Sequence, residues 1–364
     1  MKDDHIIYQV FKIGLFIILC LSGLLTSCKK EEEAEKPLVT VTMVPVYNIT
    51  RTSAYLKGSL LNEGTDTIIS YGFCWSTNPQ PTYADNRILL NFMKIGNTDN
   101  GTYLDKIRGI SPNTTYYVRA YAVTVKSKIY AEQETFTTKP ATASITFNPD
   151  LTYQSISDID GNTYRTIKIG NQEWMAENLK TTRFNDGVAI PLVTEDDKWN
   201  YQETPGYCWY FNSEADFKNI YGGYYNWYAV NTGKLCPLGW HVPTDDDWNE
   251  FKSFLGMPPE QIAVEYIPET TVGNKIKETG TINWVEENNA ATNESGFTAL
   301  PGGWRTDWGS FADEGEGGGW WSASVLAQHN VVFAHWVAFF TPAIYRSFLS
   351  SKNFGENVRC VKDL

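Results

Sequence analysis

Histidine is scarce in this 364-residue chain, which contains four. His5 precedes an N-terminal apolar run, and His329 and His335 lie six residues apart, which does not fit the close spacing of zinc ligands on a helix. The chain also lacks a Cys-x-x-Cys pair, a Gly-x-Gly-x-x-Gly turn and a glycine run ending in Gly-Lys-Ser/Thr. These absences argue against a zinc site, a dinucleotide site and a phosphate-binding loop, so we expect neither a metal nor a cofactor.

Basic residues are also outnumbered. The chain has 30 Lys and Arg against 42 Asp and Glu, which gives a formal net charge of −12. Because an acidic surface repels phosphates, we expect no nucleic-acid partner.

No apolar run at the N-terminus is long enough to span a bilayer. Residues 13–25 form a 13-residue apolar run, which suits the core of a signal peptide. Residues 25–28 (LTSC) resemble the bacterial lipobox, in which cleavage precedes the cysteine and its thiol takes a diacylglycerol. We therefore predict a lipoprotein signal peptide over residues 1–28, with Cys28 attached to outer-membrane lipid. The alternative is an ordinary signal peptide with an incidental cysteine.

Residues 29–36 (KKEEEAEK) are predicted to form a charged, solvated tether. A lysine followed by acidic residues after the lipid cysteine resembles the surface-export signal of Bacteroidetes lipoproteins. That resemblance implies a protein anchored in the outer membrane and exposed at the cell surface. The alternative is a plain spacer.

The first folded domain is predicted over residues 37–138, where short alternating runs separated by turn residues are typical of a β-sandwich. We expect strands over residues 39–43, 54–61, 68–76 and 116–123. The sequence resembles fibronectin type III-like (immunoglobulin-like) domains at residues 71–76 (YGFCWS), 112–116 (PNTTY) and 134–138 (ETFTT). Residues 139–149 are predicted to be a linker.

The second domain is predicted over residues 150–364. Thr244 is a good N-cap, three aspartates follow it, and Trp248, Phe251 and Leu255 recur at helical spacing, which predicts a helix over residues 245–255. Thirteen of the 42 residues from 199 to 240 are aromatic, which indicates long loops held by large rings. We interpret the glycines of residues 315–319 as turns that join short strands.

Four cysteines follow Cys28, and they allow three pairings. Cys74 lies in the other predicted domain, so we favour a disulfide between Cys236 and Cys360, with Cys74 and Cys208 as buried thiols. Closing so long a loop would stabilise the fold by roughly 4 to 5 kcal/mol.

The second domain resembles the Fibrobacter succinogenes major paralogous domain, which has a C-type-lectin-like fold. The residues that carry the resemblance are 160–164 (DGNTY), 174–179 (WMAENL), 225–228 (YNWY), 236–244 (CPLGWHVPT), 296–305 (GFTALPGGWR), 320–324 (WWSAS) and 358–361 (VRCV). The whole chain is therefore expected to be mainly β, with a β-sandwich followed by a C-type-lectin-like α+β domain.

In this fold the region before the last strands commonly forms the ligand face, so we predict binding of an extracellular glycan or protein there. The candidate contact residues are Trp304, Arg305, Trp308, His329, His335, Trp336 and Tyr345. Each of them has core packing as its alternative, and Trp336 in particular alternates with alanines.

Calcium lectins that resemble this fold use Glu-Pro-Asn or Gln-Pro-Asp and a Trp-Asn-Asp strand. Trp248, Asn249 and Glu250 lie on the predicted helix instead, so we do not expect calcium-dependent binding. A separate hypothesis treats residues 324–354 as a hypervariable ligand face, because variable proteins of diversity-generating retroelements also resemble this fold.

Formylglycine-generating enzymes share a related fold and use a reactive cysteine pair near the C-terminus. Cys360 is the one late cysteine here, and we assign it to the disulfide. A glycosidase would need two carboxylates across a cleft, which Glu195, Asp196 and Asp197 do not establish. We therefore predict a protein that is not an enzyme; the alternatives are a structural component of a surface assembly or, less favoured, an enzyme on that related fold.

Overall fold

The structure is a computed structural model, and it describes residues 39–90, 101–141, 144–262, 270–285, 288–326 and 330–363. The predicted signal peptide 1–28 with Cys28, the tether 29–36 and the candidate contact residue His329 lie outside these ranges. Within them, no helix is both long and apolar enough to cross a membrane.

The first domain is a β-sandwich. Its strands are β1 (Val39–Met43), β2 (Ser53–Asn62), β3 (Ile68–Ser76), β4 (Asn86–Leu90), β5 (Gly101–Arg108), β6 (Thr115–Thr124), β7 (Lys128–Tyr130) and β8 (Glu134–Thr137). One antiparallel sheet has the order β1-β2-β5, and the other has the order β4-β3-β6-β7, with β8 also pairing with β6. The four strands predicted from the alternating pattern are confirmed.

The two sheets close on one core because alternate side chains point inward. Val118 and Ala120, two residues apart on β6, are both fully buried. Tyr103 of the first sheet packs between Tyr71 and Phe73 of the second, with ring centroids 4.9 and 5.1 Å apart. Aromatic contacts between the sheets therefore fix the sandwich.

The second domain is α+β, and the chain as a whole is mainly β. Its strands are β9 (Gln154–Ser157), β10 (Thr163–Ile169), β11 (Gln172–Met175), β12 (Tyr207–Cys208), β13 (Tyr224–Tyr225), β14 (Trp240–His241), β15 (Trp304–Arg305), β16 (Phe311–Ala312), β17 (Gly317–Leu326), β18 (Val331–Ala338), β19 (Ile344–Leu349) and β20 (Val361–Lys362). Its helices are α1 (Asp196–Asn200), α2 (Glu214–Tyr221), α3 (Trp227–Val230), α4 (Asp245–Phe254), α5 (Pro259–Ile262) and α6 (Val272–Ile276).

Two sheets organise this domain. The larger has the order β14-β20-β11-β10-β9, so the C-terminal strand β20 lies between β14 and β11. The smaller is the antiparallel sheet β17-β18-β19, and β15 and β16 form a separate hairpin. The chain end is therefore held inside the domain by strands from distant parts of the sequence.

Helix α4 begins as the sequence predicts. Thr244 caps it through a capping box with Asp247, in which each side chain bonds the other residue's backbone N–H. Trp248 and Phe251 are fully buried and pack on Trp174, with ring centroids 4.8 and 5.0 Å away. The helix is thus fixed by its cap at one end and by an aromatic face along its length.

The predicted disulfide is present between Cys236 and Cys360, whose Cα atoms lie 5.9 Å apart. Cys74 and Cys208 are buried free thiols, also as predicted. Burial raises the pKa of each thiol to about 12, which disfavours the reactive thiolate.

The interpretation of residues 315–319 as turns is wrong in part. Gly315 has a positive φ of 82° and occupies a turn, but Gly317 to Gly319 open strand β17. A Cβ at Gly318 would collide with the carbonyl of Leu300, and one at Gly319 would collide with Glu356 and Trp336. These glycines permit close approach of other groups to the strand.

The two domains are docked through buried charges. Arg51 of the sandwich is fully buried and donates to Tyr221 Oη at 2.8 Å, Glu314 Oε1 at 3.2 Å and Asn283 Oδ1 at 2.6 Å, all in the second domain. Lys106 forms a second buried ion pair with Glu316. The two domains therefore share a desolvated polar interface.

Candidate functional site

Three of the predicted contact residues form one aromatic group. On the small sheet, Trp336 of β18 lies directly opposite Tyr345 of β19 on one side and Gly319 of β17 on the other. Directly opposed residues project from the same face of a sheet. Trp304 of β15 then packs edge-on against Trp336, with ring centroids 4.4 Å apart and ring planes at 83°. Trp304 and Tyr345 are half-buried, whereas Trp336 is buried.

A carboxyl group lies beneath these rings. Glu356 is fully buried, and its side chain occupies the space over Gly319 that a Cβ would fill. Neither of its carboxyl oxygens has a hydrogen-bond partner in the described part of the chain. Burial raises the pKa of Glu356 well above its usual value and so favours the protonated, neutral carboxyl group.

We define Trp304, Trp336, Tyr345 and Glu356 as the aromatic site. The indole Nε1 of Trp336 also has no hydrogen-bond partner among the described residues. Burial, and next the neighbouring Glu356, raise the pKa of Tyr345 to about 12, so its hydroxyl stays neutral. The site thus combines ring faces with uncharged donors and acceptors, which suits a ligand with both apolar faces and polar groups.

Trp308 lies at the tip of the loop between β15 and β16 and is 61% exposed. Its indole is therefore free to make a surface contact. It does not belong to the aromatic site itself.

Arg305 is a correction to the predicted contact surface. Its side chain is fully buried and donates to the backbone oxygens of Gly309, Val193 and Thr194 and to Asp196 Oδ1, the last at 2.8 Å. Its guanidinium also lies 4.5 Å from the centroid of the Trp199 ring. Strand alternation turns Arg305 away from the face that carries Trp304. Its hydrogen bonds instead fix the loop of residues 193–196.

His335 is a second correction. It is fully buried, stacks on Trp248 with centroids 4.6 Å apart, and bonds Asp245 Oδ1 through Nε2 at 3.1 Å. Arg346 donates to the other oxygen of Asp245 at 2.6 Å. Burial lowers the pKa of His335 to about 4, so the ring is neutral at pH 7. This residue packs α4 against the small sheet.

The family model of the Fibrobacter succinogenes major domain matches residues 167–362. This chain belongs to that family. The matched region contains the aromatic site, the disulfide and both sheets of the second domain except for β9 and the start of β10.

Solved structures similar to the chain include single sensor and fibronectin type III domains. The sensor domain of the anti-sigma factor RsgI4 of Pseudobacteroides cellulosolvens is 18% identical with a TM-score of 0.22, and the match covers 29% of this chain and 97% of that one. The sixth fibronectin type III domain of human fibronectin type III domain containing protein 3 is 18% identical with a TM-score of 0.20, over 28% and 86%. No curated protein matches the chain.

The second domain holds Cys360 in a disulfide and Cys208 in the core, so its described residues supply no reactive cysteine pair. Asp196, a candidate for a glycosidase pair, instead accepts from Arg305.

Within the described ranges, no group of three or more His, Cys, Asp or Glu side chains is arranged to hold a metal ion. Two of the three aspartates at the start of α4 bond other side chains of the second domain. Asp245 bonds His335 and Arg346, and Asp247 caps the helix and bonds His241.

Glu356 is the site residue that sequence reasoning missed. It stands between a glycine and an asparagine in a stretch without periodicity, and nothing local distinguishes it from a surface glutamate. A partial signal was available in Gly319, because a glycine inside a strand often marks the close approach of another group.

Proposed function

We propose that this protein is a surface lipoprotein that binds an extracellular glycan or protein ligand through the aromatic site of its second domain. The observation that supports this most is the buried carboxyl group of Glu356, which has no partner among the described residues and lies beneath Trp304, Trp336 and Tyr345. The exposed Trp308 is a further candidate contact outside the aromatic site.

The physical argument is the cost of an unsatisfied polar group. Burying a carboxyl group without a hydrogen bond costs about 1 to 3 kcal/mol, and most buried polar groups in proteins avoid it. A ligand hydroxyl or amide that bonds Glu356 would recover this energy. The rings around it would bury the apolar faces of the same ligand.

The family membership points to an extracellular or surface protein. Attachment of lipid to Cys28 and display at the outer surface are part of the proposal. Labelling cells with radioactive palmitate should mark the wild-type protein and not Cys28→Ala, and protease added to intact cells should remove it. Labelling of Cys28→Ala, or full protection from protease, would contradict the anchor or the surface display respectively.

The binding test uses the mature protein on arrays of glycans and extracellular-matrix proteins, with and without a chelator. Trp304→Ala should weaken the binding by roughly 2 kcal/mol, about thirtyfold, because a central aromatic contact is lost. Glu356→Gln keeps the shape of the side chain and should also weaken binding while the fold is retained.

Phe340→Ala is the matched control, since Phe340 is 63% exposed and lies outside the aromatic site. Circular dichroism would establish that each variant is folded. Unchanged affinity in Trp304→Ala would exclude the aromatic site as the place of binding. If neither array shows a ligand, a structural role in a surface assembly becomes the better proposal.

A further inference from the structure

A second concave region lies where the two domains meet, away from the aromatic site. It is a cleft of about 450 Å³, and its lining includes Arg108 and Gly109 from the sandwich and Asp196, Phe211 and Phe311 from the second domain. That volume falls within the range of small-molecule sites, which often occur at domain interfaces.

The walls of this interdomain cleft are fixed before any ligand arrives. The buried ion pairs of Arg51 with Glu314 and of Lys106 with Glu316 join the domains beside it, and Lys106 and Glu314 line the narrow recess that continues from the cleft. A preformed site loses less freedom on binding than one that must be assembled. The cleft exists only when both domains are docked.

Phe211 provides an aromatic platform in the cleft. Its ring is 37% exposed, stacks on Phe311 with centroids 5.4 Å apart at 26°, and lies next to Gly109 of the sandwich. Phe211 has a φ of 48°, and the following Asn212 has a φ of 56°, so two successive non-glycine residues adopt the left-handed conformation. The backbone is therefore strained in the conformation that presents this ring to the cleft.

The polar lining carries both signs of charge. Arg108 is exposed and donates to the backbone oxygen of Lys106 through Nη1, which leaves further guanidinium N–H groups for a ligand. Asp196 is exposed and accepts from Arg305 through Oδ1. Asn212 and Ser310 add an exposed amide and an exposed hydroxyl.

These features select the class of ligand. Asp196 is already paired with Arg305, which lowers its attraction for a cation, and the net charge of −12 disfavours an anion. A neutral sugar ring has an apolar face that stacks on an aromatic ring and hydroxyls that both donate and accept. An open cleft also lets the chain of an oligosaccharide extend into solvent.

We propose that the interdomain cleft is a second binding site, which takes a neutral oligosaccharide with one sugar ring on Phe211 and its hydroxyls on Arg108, Asp196 and Asn212. This site is separate from the aromatic site, because Phe311 contacts the guanidinium of Arg305 on one face of the β15–β16 hairpin while Trp304 packs on Trp336 from the other.

The test is isothermal titration of the mature protein with cellohexaose, mannohexaose and chitohexaose. We expect at least one of them to bind, and Phe211→Gly to lower its affinity by about tenfold or more. Glycine accepts a positive φ, so this variant removes the ring and relieves the backbone at the same position. Ser310→Tyr is the second variant; it fills the cleft from an exposed position and should also abolish binding.

Phe340→Ala and Trp304→Ala are the controls, one for loss of an exposed ring and one for the aromatic site. Binding that is kept in both controls and lost in Phe211→Gly and Ser310→Tyr supports the cleft. Binding that is lost in Trp304→Ala and kept in Phe211→Gly overturns it and assigns the sugar to the aromatic site. Failure of all three hexasaccharides to bind also overturns the cleft proposal, and it leaves a protein ligand at the aromatic site untouched.

Discussion

Buried ionisable side chains in this protein are of two kinds. Arg305 and Arg359 have partners for their guanidinium groups, and Arg359 donates to Asn178, Phe297 and Thr298. Glu356 and His335 are buried mainly in their neutral forms, because burial raises the pKa of the first and lowers that of the second. The arginines therefore fix loops, whereas the stability contributed around Glu356 and His335 depends on pH.

His335 should make the fold sensitive to acid. Its pKa in the folded protein is about 4, against about 6.5 in an unfolded chain, so the unfolded state binds the proton first. The stabilisation contributed by the neutral His335 ring is fully present above pH 6.5. Up to about 3 kcal/mol of it is lost as the pH falls towards 4. Urea unfolding of the wild type and His335→Gln between pH 4 and 7 should show a flatter pH profile in the variant.

His241 should change the stability with pH in the opposite direction to His335. Its hydrogen bonds with Asp247 and then Asp363, together with their charges, raise its pKa, although partial burial opposes this. The stabilisation that protonated His241 contributes is therefore present below pH 6.5, and it is lost as the pH rises through the pKa of His241 in the folded protein. If His335→Gln and the wild type lose stability in parallel on acidification, the buried neutral ring is not the cause.

The roles of single residues were the hardest feature to predict from the sequence. Trp304, Trp336 and Tyr345 lie together in the structure, and their role in binding stays a prediction. Arg305 and His335, predicted for the same contact surface, are turned into the core. Three of the four acceptors of the Arg305 side chain, on Val193, Thr194 and Asp196, lie more than 100 residues away. No local pattern reports such partners.

At the scale of elements, local patterns predicted well where one face is buried. Strand β3 and helix α4 begin at the predicted residues, because the alternation of β3 and the N-cap Thr244 of α4 are local features of the sequence. The start of strand β17 was not predicted, because its glycines make room for Leu300, Trp336 and Glu356 from other parts of the chain. An element whose composition is set by a distant neighbour lacks its usual local signature.

Gly319→Ala tests that explanation. The new Cβ would meet the Glu356 carboxyl group and the Trp336 ring, so we expect a loss of about 2 to 3 kcal/mol in the free energy of unfolding. Gly161→Ala is the comparison: nothing lies near its Cβ, and its positive φ alone should cost about 1 kcal/mol. A smaller loss in Gly319→Ala than in Gly161→Ala, measured by urea unfolding, would show that the space over β17 is open.

At the scale of the whole molecule, the sequence predicted two domains with a linker but not their docking. Arg51 reads as an ordinary residue before a strand, yet its partners Tyr221, Asn283 and Glu314 lie 170, 232 and 263 residues further along the chain. Contacts of that separation depend on the completed fold of both domains. The interdomain cleft was unpredictable for the same reason.

Glu314→Gln should weaken the docking. It leaves the buried Arg51 charge without its anionic partner, which typically costs about 3 to 5 kcal/mol. We expect calorimetry to resolve two unfolding transitions in the variant, the first of them at lower temperature than in the wild type. Glu214→Gln is the control, because its pair with Lys218 lies on the surface of α2 and contributes at most about 0.5 kcal/mol. Identical melting of the two variants would mean that the buried pair does not couple the domains.

The disulfide between Cys236 and Cys360 has a mechanical consequence. It links residues 124 positions apart, and the aromatic site lies inside that loop. When the protein is stretched between its ends, tension passes through the sulfur atoms and bypasses the loop, so about 430 Å of contour length cannot be released at roughly 3.5 Å per residue. The aromatic site is therefore expected to keep its shape under a pull that unfolds the β-sandwich, until a reductant breaks the disulfide.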